Sequence, residues 1–292
     1  MKCLVTGASG FVGSALVHRL LDAGCDVIPI SRSSGVTLQG NEYFGIDFLN
    51  ESVPHSVLLD VDVVYHTAGI AHTSASIEDY RKINFEATIE LAKQAARARV
   101  SKFVFLSTTH VARGSGDSAY SDSKLLAESN LEKEFSKSDM SIEIVRSPLV
   151  YGPGVKGNLS LFASAIRKGL PRPPDVGAKN MISLRDLASF LILLGNNSEK
   201  GIRKSIVNDG EIYSSRRIFD AISTAMGRQS IKLSLPLSIW NCMGIGLDLC
   251  FKYPLGSTSK RLFSHETFES TRLPDWKITT SFEDMVVETF DL

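Results

Sequence analysis

The sequence lacks several features that mark particular classes of protein. Its 292 residues include 32 basic and 32 acidic residues, so no excess of positive charge indicates a nucleic-acid partner. Its four cysteines form no C-x-x-C pair, and no group of histidine, cysteine and carboxylate residues has metal-ligand spacing. We therefore predict no metal, and we interpret the cysteines as buried free thiols in a reducing compartment.

Long, uninterrupted apolar runs are also missing. The most apolar stretch, residues 233–255, is interrupted by Pro236, Asp248 and Lys252. These breaks argue against a transmembrane span of about 20 apolar residues. The first residues lead straight into a predicted strand and leave no room for a signal peptide. We therefore expect a cytoplasmic protein without a transmembrane span.

The first half of the sequence alternates short apolar runs with helix-length segments. Runs such as 61–65 and 103–106 are nearly continuously apolar, as expected for parallel strands covered on both faces. The alternation predicts an α/β fold, a Rossmann-type doubly wound parallel sheet with a smaller mixed α/β C-terminal substrate domain. We place the first domain at residues 1–154 plus about 183–208, and the second at about 155–182 plus 209–292.

A glycine-rich turn joins the first predicted strand to the first helix. Gly7 permits a tight turn, Gly10 lets the backbone approach a pyrophosphate, and Gly13 allows close packing of helix on strand. The free N–H groups at the start of the helix then face the phosphates. The turn predicts a dinucleotide site formed by Gly7, Ser9, Gly10, Phe11, Val12 and Gly13.

The end of the second strand bears on the choice of dinucleotide. An acidic residue there would bind the ribose hydroxyls of NAD, but this chain has Ser31, Arg32 and Ser33. A guanidinium and hydroxyls would hold the 2′-phosphate of NADP, which a carboxylate would repel. We therefore favour NADP(H) as cofactor, with NAD(H) as the alternative in which Arg32 is an ordinary solvated arginine.

Two further strand ends carry candidate cofactor contacts. Asp47 and Phe48 follow the third strand, where an aspartate can hydrogen-bond an adenine amino group. The fourth strand ends at His66, which we interpret as a buried histidine with its hydrogen bonds satisfied. The small residues after it let the backbone pass close to the cofactor; they are Thr67, Ala68 and Gly69.

Three side chains predict the reaction. Tyr120 and Lys124 lie four residues apart in a predicted helix, so their side chains share one face. The pKa of a free tyrosine, about 10, must fall by roughly 2–3 units for proton exchange near neutral pH, and the positive charges of a nearby ammonium and of an oxidised nicotinamide favour that fall. Thr108 ends the fifth strand and can steady a substrate oxygen with its hydroxyl. This set predicts a nicotinamide-dependent oxidoreductase that acts on an alcohol or a ketone.

In their order along the chain, these motifs resemble the extended short-chain dehydrogenase/reductase family, in its NAD(P)-dependent nucleotide-sugar epimerase/dehydratase branch. The resemblance covers nearly the whole chain and extends to the segment 146–153. It implies that Tyr120 is the acid/base, that Lys124 is its partner and that Thr108 donates a hydroxyl hydrogen bond. It also implies cofactor contacts at Asn84, Pro148 and Val150.

The resemblance further implies a UDP-sugar substrate held by the second domain. Lys179 occupies the place of an arginine that meets the diphosphate, keeping the charge but losing the bidentate fork. A homodimer is implied through the helices that start near Glu78 and Tyr120. The substrate contacts expected from the resemblance are Thr108, Thr109, Tyr120, Asn158, Leu159, Lys179 and Arg261.

We favour a reductase of the C4 ketone of a UDP-4-keto-6-deoxy-N-acetylhexosamine in surface polysaccharide biosynthesis, because Arg32 indicates an exchangeable NADPH. One alternative is a UDP-hexose 4-epimerase, acting on UDP-glucose or UDP-N-acetylglucosamine, that holds its NAD tightly. A second is a reductase of a ketone that is not a nucleotide. A third is a cofactor-sensing binding protein without catalysis. The presence of all three predicted catalytic residues, Thr108, Tyr120 and Lys124, argues against it.

Overall fold

The computed structural model describes residues 1–36, 42–71, 75–114, 116, 118–228, 235–250 and 255–292. Contacts divide the chain into two compact units. The first unit comprises Met1–Pro148, Arg185–Val207 and Thr271–Lys277; the second comprises Leu149–Leu184, Asn208–Ser270 and Ile278–Leu292. Residues 271–277 pack in the first unit, where the Thr271 amide donates to the Ile206 carbonyl at 2.7 Å, although the boundaries drawn from the sequence assign them to the second domain.

The elements of the described residues follow in chain order. The strands are β1 (Lys2–Thr6), β2 (Asp26–Ser31), β3 (Gly35–Val36), β4 (Glu42–Gly45), β5 (Val63–His66), β6 (Lys102–Thr108), β7 (Ser141–Ser147), β8 (Leu149–Tyr151), β9 (Ala178–Lys179), β10 (Met181–Ser183), β11 (Ile202–Ile206) and β12 (His265–Glu266). The helices are α1 (Phe11–Asp22), α2 (Ile77–Arg81), α3 (Ala87–Arg97), α4 (Ala119–Phe135), α5 (Asn158–Arg167), α6 (Leu184–Asn196), α7 (Ser215–Ala225), α8 (Leu237–Cys250), α9 (Ser257–Phe263) and α10 (Phe282–Phe290). A π turn, Lys82–Glu86, joins α2 to α3, and 3₁₀ turns cover His55–Leu58 and Thr109–Arg113.

The first unit is built on one sheet with the strand order β11-β7-β6-β5-β1-β2-β4-β3. The neighbouring strands pair in parallel except for β3 and β4, which are antiparallel. Chain order reverses between β1 and β5, where Thr6 lies beside His66. Such a reversal creates a crevice at the carboxyl ends of the strands, where sheets of this kind bind ligands. The predicted Rossmann-type α/β fold is confirmed.

The core of the first unit explains why its strands read as apolar runs. All four residues of β5 are buried, because helices cover both faces of the sheet. Leu4, Val64, Phe103 and Ile142, one from each of four adjacent strands, are fully buried in one cluster. Helix α1 ends just before Gly24, whose φ of 73° lets the chain turn back into β2. This packing fixes the strand ends that carry the candidate site.

The second unit pairs β8 with β10 and β9 with β12, both in parallel. Its core includes Tyr151, Tyr213 and Phe282, all fully buried. Both tyrosine hydroxyls donate to Asp209, at 3.3 Å from Tyr151 and 2.8 Å from Tyr213. The unit is therefore held by an aromatic core with a satisfied buried carboxylate.

Three findings bear on the composition arguments. Cys3 is buried and Cys25 is half-buried, but Cys242 is exposed on α8, so the prediction of buried cysteines is wrong for Cys242. Among the described residues, no helix has the length and apolarity needed to cross a membrane. The same residues contain no group of three or more histidine, cysteine and acidic side chains that could hold a metal ion.

Candidate active site

The glycine turn has the close packing that its spacing predicts. Gly7 has a φ of 70°, and its carbonyl accepts the amide of Gly10 at 2.8 Å. A Cβ on Gly13 would overlap the Gly7 carbonyl oxygen and lie 2.8 Å from the Thr67 hydroxyl. Helix α1 then begins without a side-chain cap and without an acidic residue in its first turn. Its first amides, those of residues 11–13, are therefore available to an anion such as a dinucleotide phosphate.

The end of β2 lies against this turn. The hydroxyls of Ser9 and Ser31 are 2.5 Å apart, which ties the turn to the strand. Ser31 is buried, whereas Arg32 and Ser33 are exposed. Of the three residues predicted here, Arg32 and Ser33 are therefore open to a ligand phosphate or ribose.

Other predicted cofactor residues use their side chains on the protein itself. The Thr67 hydroxyl donates to the Thr6 carbonyl at 2.7 Å, and the Ala68 backbone packs directly on Gly7. The Asp47 carboxylate accepts the Leu49 amide at 3.2 Å and the side-chain amide of Asn50 at 3.1 Å. Phe48 meets the His66 ring edge-on at 6.1 Å. These residues shape the strand ends, and the contact of Asp47 with adenine stays a prediction.

His66 is a buried, satisfied histidine, as we interpreted it. Its Nδ1 lies 2.7 Å from the Thr6 hydroxyl and its Nε2 lies 2.9 Å from the Thr88 hydroxyl. Because the Thr88 hydroxyl donates to the Asn84 carbonyl, Nε2 is the nitrogen that carries the proton. Burial, and then the charge of Lys124, lower the pKa of His66 to about 3. The ring is therefore neutral near pH 7 and does not act as an acid there.

Asn84 lies in the π turn and holds the loop that follows β5. Its Oδ1 accepts the Ile70 amide at 2.9 Å, while its Nδ2 donates to the Ile70 carbonyl and the Ser123 hydroxyl, each at 3.0 Å. A Cβ on Gly69 would lie 2.9 Å from that Oδ1. Asn84 thus joins the loop to α4. π turns are frequent at functional sites, but no local sequence pattern marks this one.

Helix α4 brings the predicted catalytic pair to the sheet. A capping box starts it: the Ser118 hydroxyl accepts the Ser121 amide at 3.1 Å, and the Ser121 hydroxyl bonds back to the Ser118 amide at 3.1 Å. Tyr120 and Lys124 follow one turn apart on the same face. The cap fixes where the helix begins and hence where Tyr120 lies.

Thr108 and Tyr120 are in contact. The Thr108 hydroxyl, at the end of β6, is near enough to the Tyr120 phenol to affect its pKa, and the Tyr80 ring lies 6.4 Å from the Tyr120 ring. Burial raises the pKa of Tyr120 to about 12, against the lowering effect of the Thr108 hydrogen bond. Among the protein's own groups, burial therefore outweighs the effect of Thr108; the lowered tyrosine pKa expected from the sequence also invokes an oxidised nicotinamide and stays a prediction. Thr109, the next residue after Thr108, is also buried.

Lys124 is buried, and its ammonium group contacts two residues of β6. Its Nζ donates to the Leu106 carbonyl at 2.9 Å and lies 4.5 Å above the Phe105 ring. Burial lowers the pKa of Lys124 to about 8, although Glu128 acts to raise it. Sequence reasoning missed Glu128, a fully buried carboxylate one turn beyond Lys124. Its only sequence signal is the spacing of four residues from Tyr120 to Lys124 to Glu128.

The remaining predicted substrate residues lie in the second unit. Asn158 is exposed at the start of α5, whereas Leu159 is buried in the unit's core. The Lys179 ammonium donates to the carbonyls of Arg261 and Leu262 in the last turn of α9. Lys179 therefore stabilises the carbonyl end of that helix, and the side chain of Arg261 is exposed. Val150, predicted to meet the cofactor, pairs with Ile182 in the strands β8 and β10, and Pro148 ends the first segment of the first unit.

Comparison with known proteins agrees with this geometry. Residues 3–208 match the model of the NAD dependent epimerase/dehydratase family. A UDP-glucose 4-epimerase of Vibrio cholerae is 27% identical over 265 residues, covering 82% of this chain and 80% of the relative. A UDP-2-acetamido-2,6-beta-L-arabino-hexul-4-ose reductase of Pseudomonas aeruginosa is 30% identical over 176 residues, covering 59% of this chain and 42% of the relative.

A solved structure shares the fold along the whole length. MoeE5 in complex with UDP-glucuronic acid and NAD superposes with a TM-score of 0.78 at 20% sequence identity, covering 100% of this chain and 98% of MoeE5. At 20% identity this match shows that the two proteins share a fold and shows nothing about function.

Proposed function

The chain belongs to the NAD dependent epimerase/dehydratase family, and on this premise we propose that it is a nucleotide-sugar reductase. Its substrate in this proposal is a UDP-4-keto-6-deoxy-N-acetylhexosamine, reduced at C4. The observation that carries the proposal is the meeting of Thr108 and Tyr120 at the carboxyl end of β6, with Lys124 bonded to the same strand. This set lies in the same unit as the glycine turn.

The protonation states of the three residues suit a reduction. With a pKa of about 12, Tyr120 holds its proton near pH 7 and can donate it to a ketone oxygen as negative charge develops there. The Thr108 hydroxyl can bind the same oxygen. Lys124, with a pKa of about 8, is mostly charged near pH 7 and stabilises the phenolate that the transfer leaves behind.

We propose NAD(H) as the cofactor. The glycine turn and the start of α1 fit a pyrophosphate, because no side chain caps the first amides of the helix. When bound, the nicotinamide would supply the hydride. The preference for NADP(H), which we drew from Arg32, is not supported: the structural neighbour MoeE5 was solved with NAD, and the matching family is NAD dependent.

We propose that the second unit contributes the contacts to UDP. Asn158 is exposed at the start of α5 and can meet the uracil edge with its amide. The exposed Arg261 can meet a phosphate, and Lys179, bonded to the carbonyls of the last turn of α9, holds the helix that carries Arg261. The names of the two relatives, a UDP-glucose 4-epimerase and a UDP-hexulose reductase, support a UDP-sugar. A homodimer, a cytoplasmic location and a role in surface polysaccharide synthesis stay predictions.

The second candidate is a UDP-hexose 4-epimerase that keeps its NAD. The UDP-glucose 4-epimerase of Vibrio cholerae favours it, because that relative aligns with 82% of this chain. An epimerase must first oxidise the C4 alcohol, which requires a tyrosine that can lose its proton. Because burial raises the pKa of Tyr120 to about 12, its phenol would need a nearby positive charge before it could act as that base.

The test is the loss of NADH absorbance when the UDP-4-keto-6-deoxy-N-acetylhexosamine is added to the pure protein, with NADPH in a parallel cuvette. We expect one NADH consumed per ketone, with loss of turnover in Tyr120→Phe and retention in Tyr43→Phe, the same change in β4. No NADH loss, together with interconversion of UDP-glucose and UDP-galactose, would establish the epimerase instead. Failure of both would leave a ketone that is not a nucleotide.

A further inference from the structure

Glu128 is a fully buried carboxylate whose bonds reach three elements of the first unit. Its Oε1 accepts the Ser107 hydroxyl of β6 at 2.5 Å. Its two oxygens accept the Arg146 guanidinium of β7 at 3.1, 3.1 and 2.6 Å. The Lys204 ammonium of β11 lies 3.8 Å from Oε2. A buried charge is tolerated when it is paired and hydrogen-bonded in this way.

The Glu128 carboxylate and the Lys124 ammonium hydrogen-bond neighbouring residues of β6. Lys124 and Glu128 are successive residues of one face of α4, and they bond the Leu106 carbonyl and the Ser107 hydroxyl respectively. Leu106 and Ser107 directly precede Thr108. The two bonds therefore fix the helix that carries Tyr120 against the strand that carries Thr108. We propose that Glu128 is a positioning residue of the active site, which holds Lys124 and the end of β6 in place for Tyr120.

The arrangement of charges gives Glu128 a second effect on Lys124. Among the described residues, Glu128 of α4 and the neutral His66 of β5 interact with Lys124, and Arg146 of β7 and Lys204 of β11 lie beyond the carboxylate. Glu128 is the anion among them. It offsets the two cations behind it, so Lys124 can keep its own charge while buried.

Two substitutions should therefore move Lys124 in opposite directions. Glu128→Gln leaves Arg146 and Lys204 without their counter-ion, so Lys124 should lose its proton about one pH unit lower, or more. Arg146→Met removes a cation and leaves the carboxylate, so Lys124 should lose its proton at a higher pH. A general loss of packing would not shift the Lys124 titration in opposite directions in the two variants. Glu143→Gln is the matched control: Glu143 is also buried and paired with an arginine, Arg203, but it lies near the amino end of β7.

The measurement is the titration of the Lys124 ε-carbon by NMR in protein labelled with ¹³C-lysine, with Lys124→Met assigning the signal. It needs no turnover. The kinetic readout rests on the proposed function: the pH profile of kcat for alcohol oxidation by NAD⁺ requires the Tyr120 phenolate. Its acid limb should move to higher pH in Glu128→Gln, because an uncharged Lys124 no longer stabilises the phenolate.

The outcomes separate the two proposals. If Glu128→Gln does not fold, Arg146→Met still tests whether the Lys124 titration moves in the predicted direction, to higher pH. A Lys124 titration that stays at the wild-type position in the folded variants overturns the positioning role, and so does an unmoved acid limb in an enzyme that turns over. A wild-type protein without turnover on UDP-sugars would refute the proposed function, and the NMR titration would still decide the role of Glu128.

Discussion

Replacing Gly13 by alanine should damage the dinucleotide site through one methyl group. Gly13 lies in the first turn of α1, where the helix passes the Gly7 carbonyl at close range. The added Cβ would overlap that oxygen and lie 2.7 Å from the carbonyl carbon, where carbon atoms prefer about 3.5–4.0 Å. The helix and the turn must therefore separate by on the order of 1 Å.

Two opposing terms decide the size of the effect. Alanine is favoured over glycine in a helix interior by about 1 kcal/mol, whereas overpacking a close contact costs about 1–3 kcal/mol. Gly246 of α8 isolates the first term, because a Cβ there meets nothing within 4 Å. We expect Gly246→Ala to be neutral or stabilising. Because the propensity gain is common to both variants, Gly13→Ala should be less stable than Gly246→Ala by the overpacking cost, about 1–3 kcal/mol.

The assays are urea unfolding followed by circular dichroism and titration of each variant with NADH by fluorescence. Moving the turn by an ångström takes its amides out of reach of the pyrophosphate, so NADH affinity should fall at least about tenfold in Gly13→Ala, or about 1.4 kcal/mol. Gly246→Ala should bind as the wild type does. Equal stability and equal NADH affinity in the two variants would refute the reasoning, because the packing of Gly13 on Gly7 would then have no role.

Three further predictions concern two buried rings and the cap of α4. The Tyr65 hydroxyl is buried without a hydrogen-bond partner among the described residues, so Tyr65→Phe should raise the free energy of unfolding by about 1 kcal/mol in urea; a loss of stability would show that the hydroxyl is satisfied. The pKa of His66 is about 3 in the folded protein, below its ordinary value of 6.5, so its contribution to stability is complete above pH 6.5 and is lost as the pH falls toward 3. Unfolding free energies at pH 6.5 and pH 4 should differ by about 3 kcal/mol more in the wild type than in His66→Gln, and an equal difference would contradict the buried neutral ring. Ser118→Ala removes the cap of α4 and should lower the free energy of unfolding, measured by thermal unfolding, by about 1 kcal/mol. It should also lower kcat by a larger factor than it changes KM. An unchanged kcat would mean that the cap does not position Tyr120.

Much of the architecture follows from short-range patterns. The apolar runs that became β5 and β6 are continuous because both faces of those strands are covered, and this pattern predicts parallel strands. The glycine turn is equally local, since its spacing reflects the packing of Gly13 on Gly7 within one strand–turn–helix unit. Features of this kind depend on neighbours within a few residues and are visible in the sequence.

The partners of individual polar side chains are not visible in that way. Asp47 and Thr67 were expected to face the cofactor, yet each bonds backbone or side-chain groups of the protein. Lys179 was expected to meet a diphosphate and instead bonds two carbonyls more than 80 residues away. A donor or acceptor takes the nearest suitable partner in three dimensions, and residue type alone does not identify that partner.

The burial of Glu128 could not be predicted from the sequence either. An acidic residue in a helix is usually solvated, so the sequence favours a surface position. Its burial depends on Arg146, which lies 18 residues further along the chain on another strand. The raised pKa of Tyr120 is likewise a property of its surroundings, because the same side chain in solvent would titrate near 10.

The π turn between α2 and α3 has a consequence for how this protein can tolerate insertions and deletions. A π turn contains one residue more than the α-helical turn it replaces, and one residue corresponds to about 100° of rotation around a helix. Tyr80 lies before the turn and faces Tyr120, while Thr88 lies after it and faces His66. A chain shorter by one residue in this segment could keep one of these orientations but not both. The length of the segment is therefore itself a constraint, independent of which amino acids fill it.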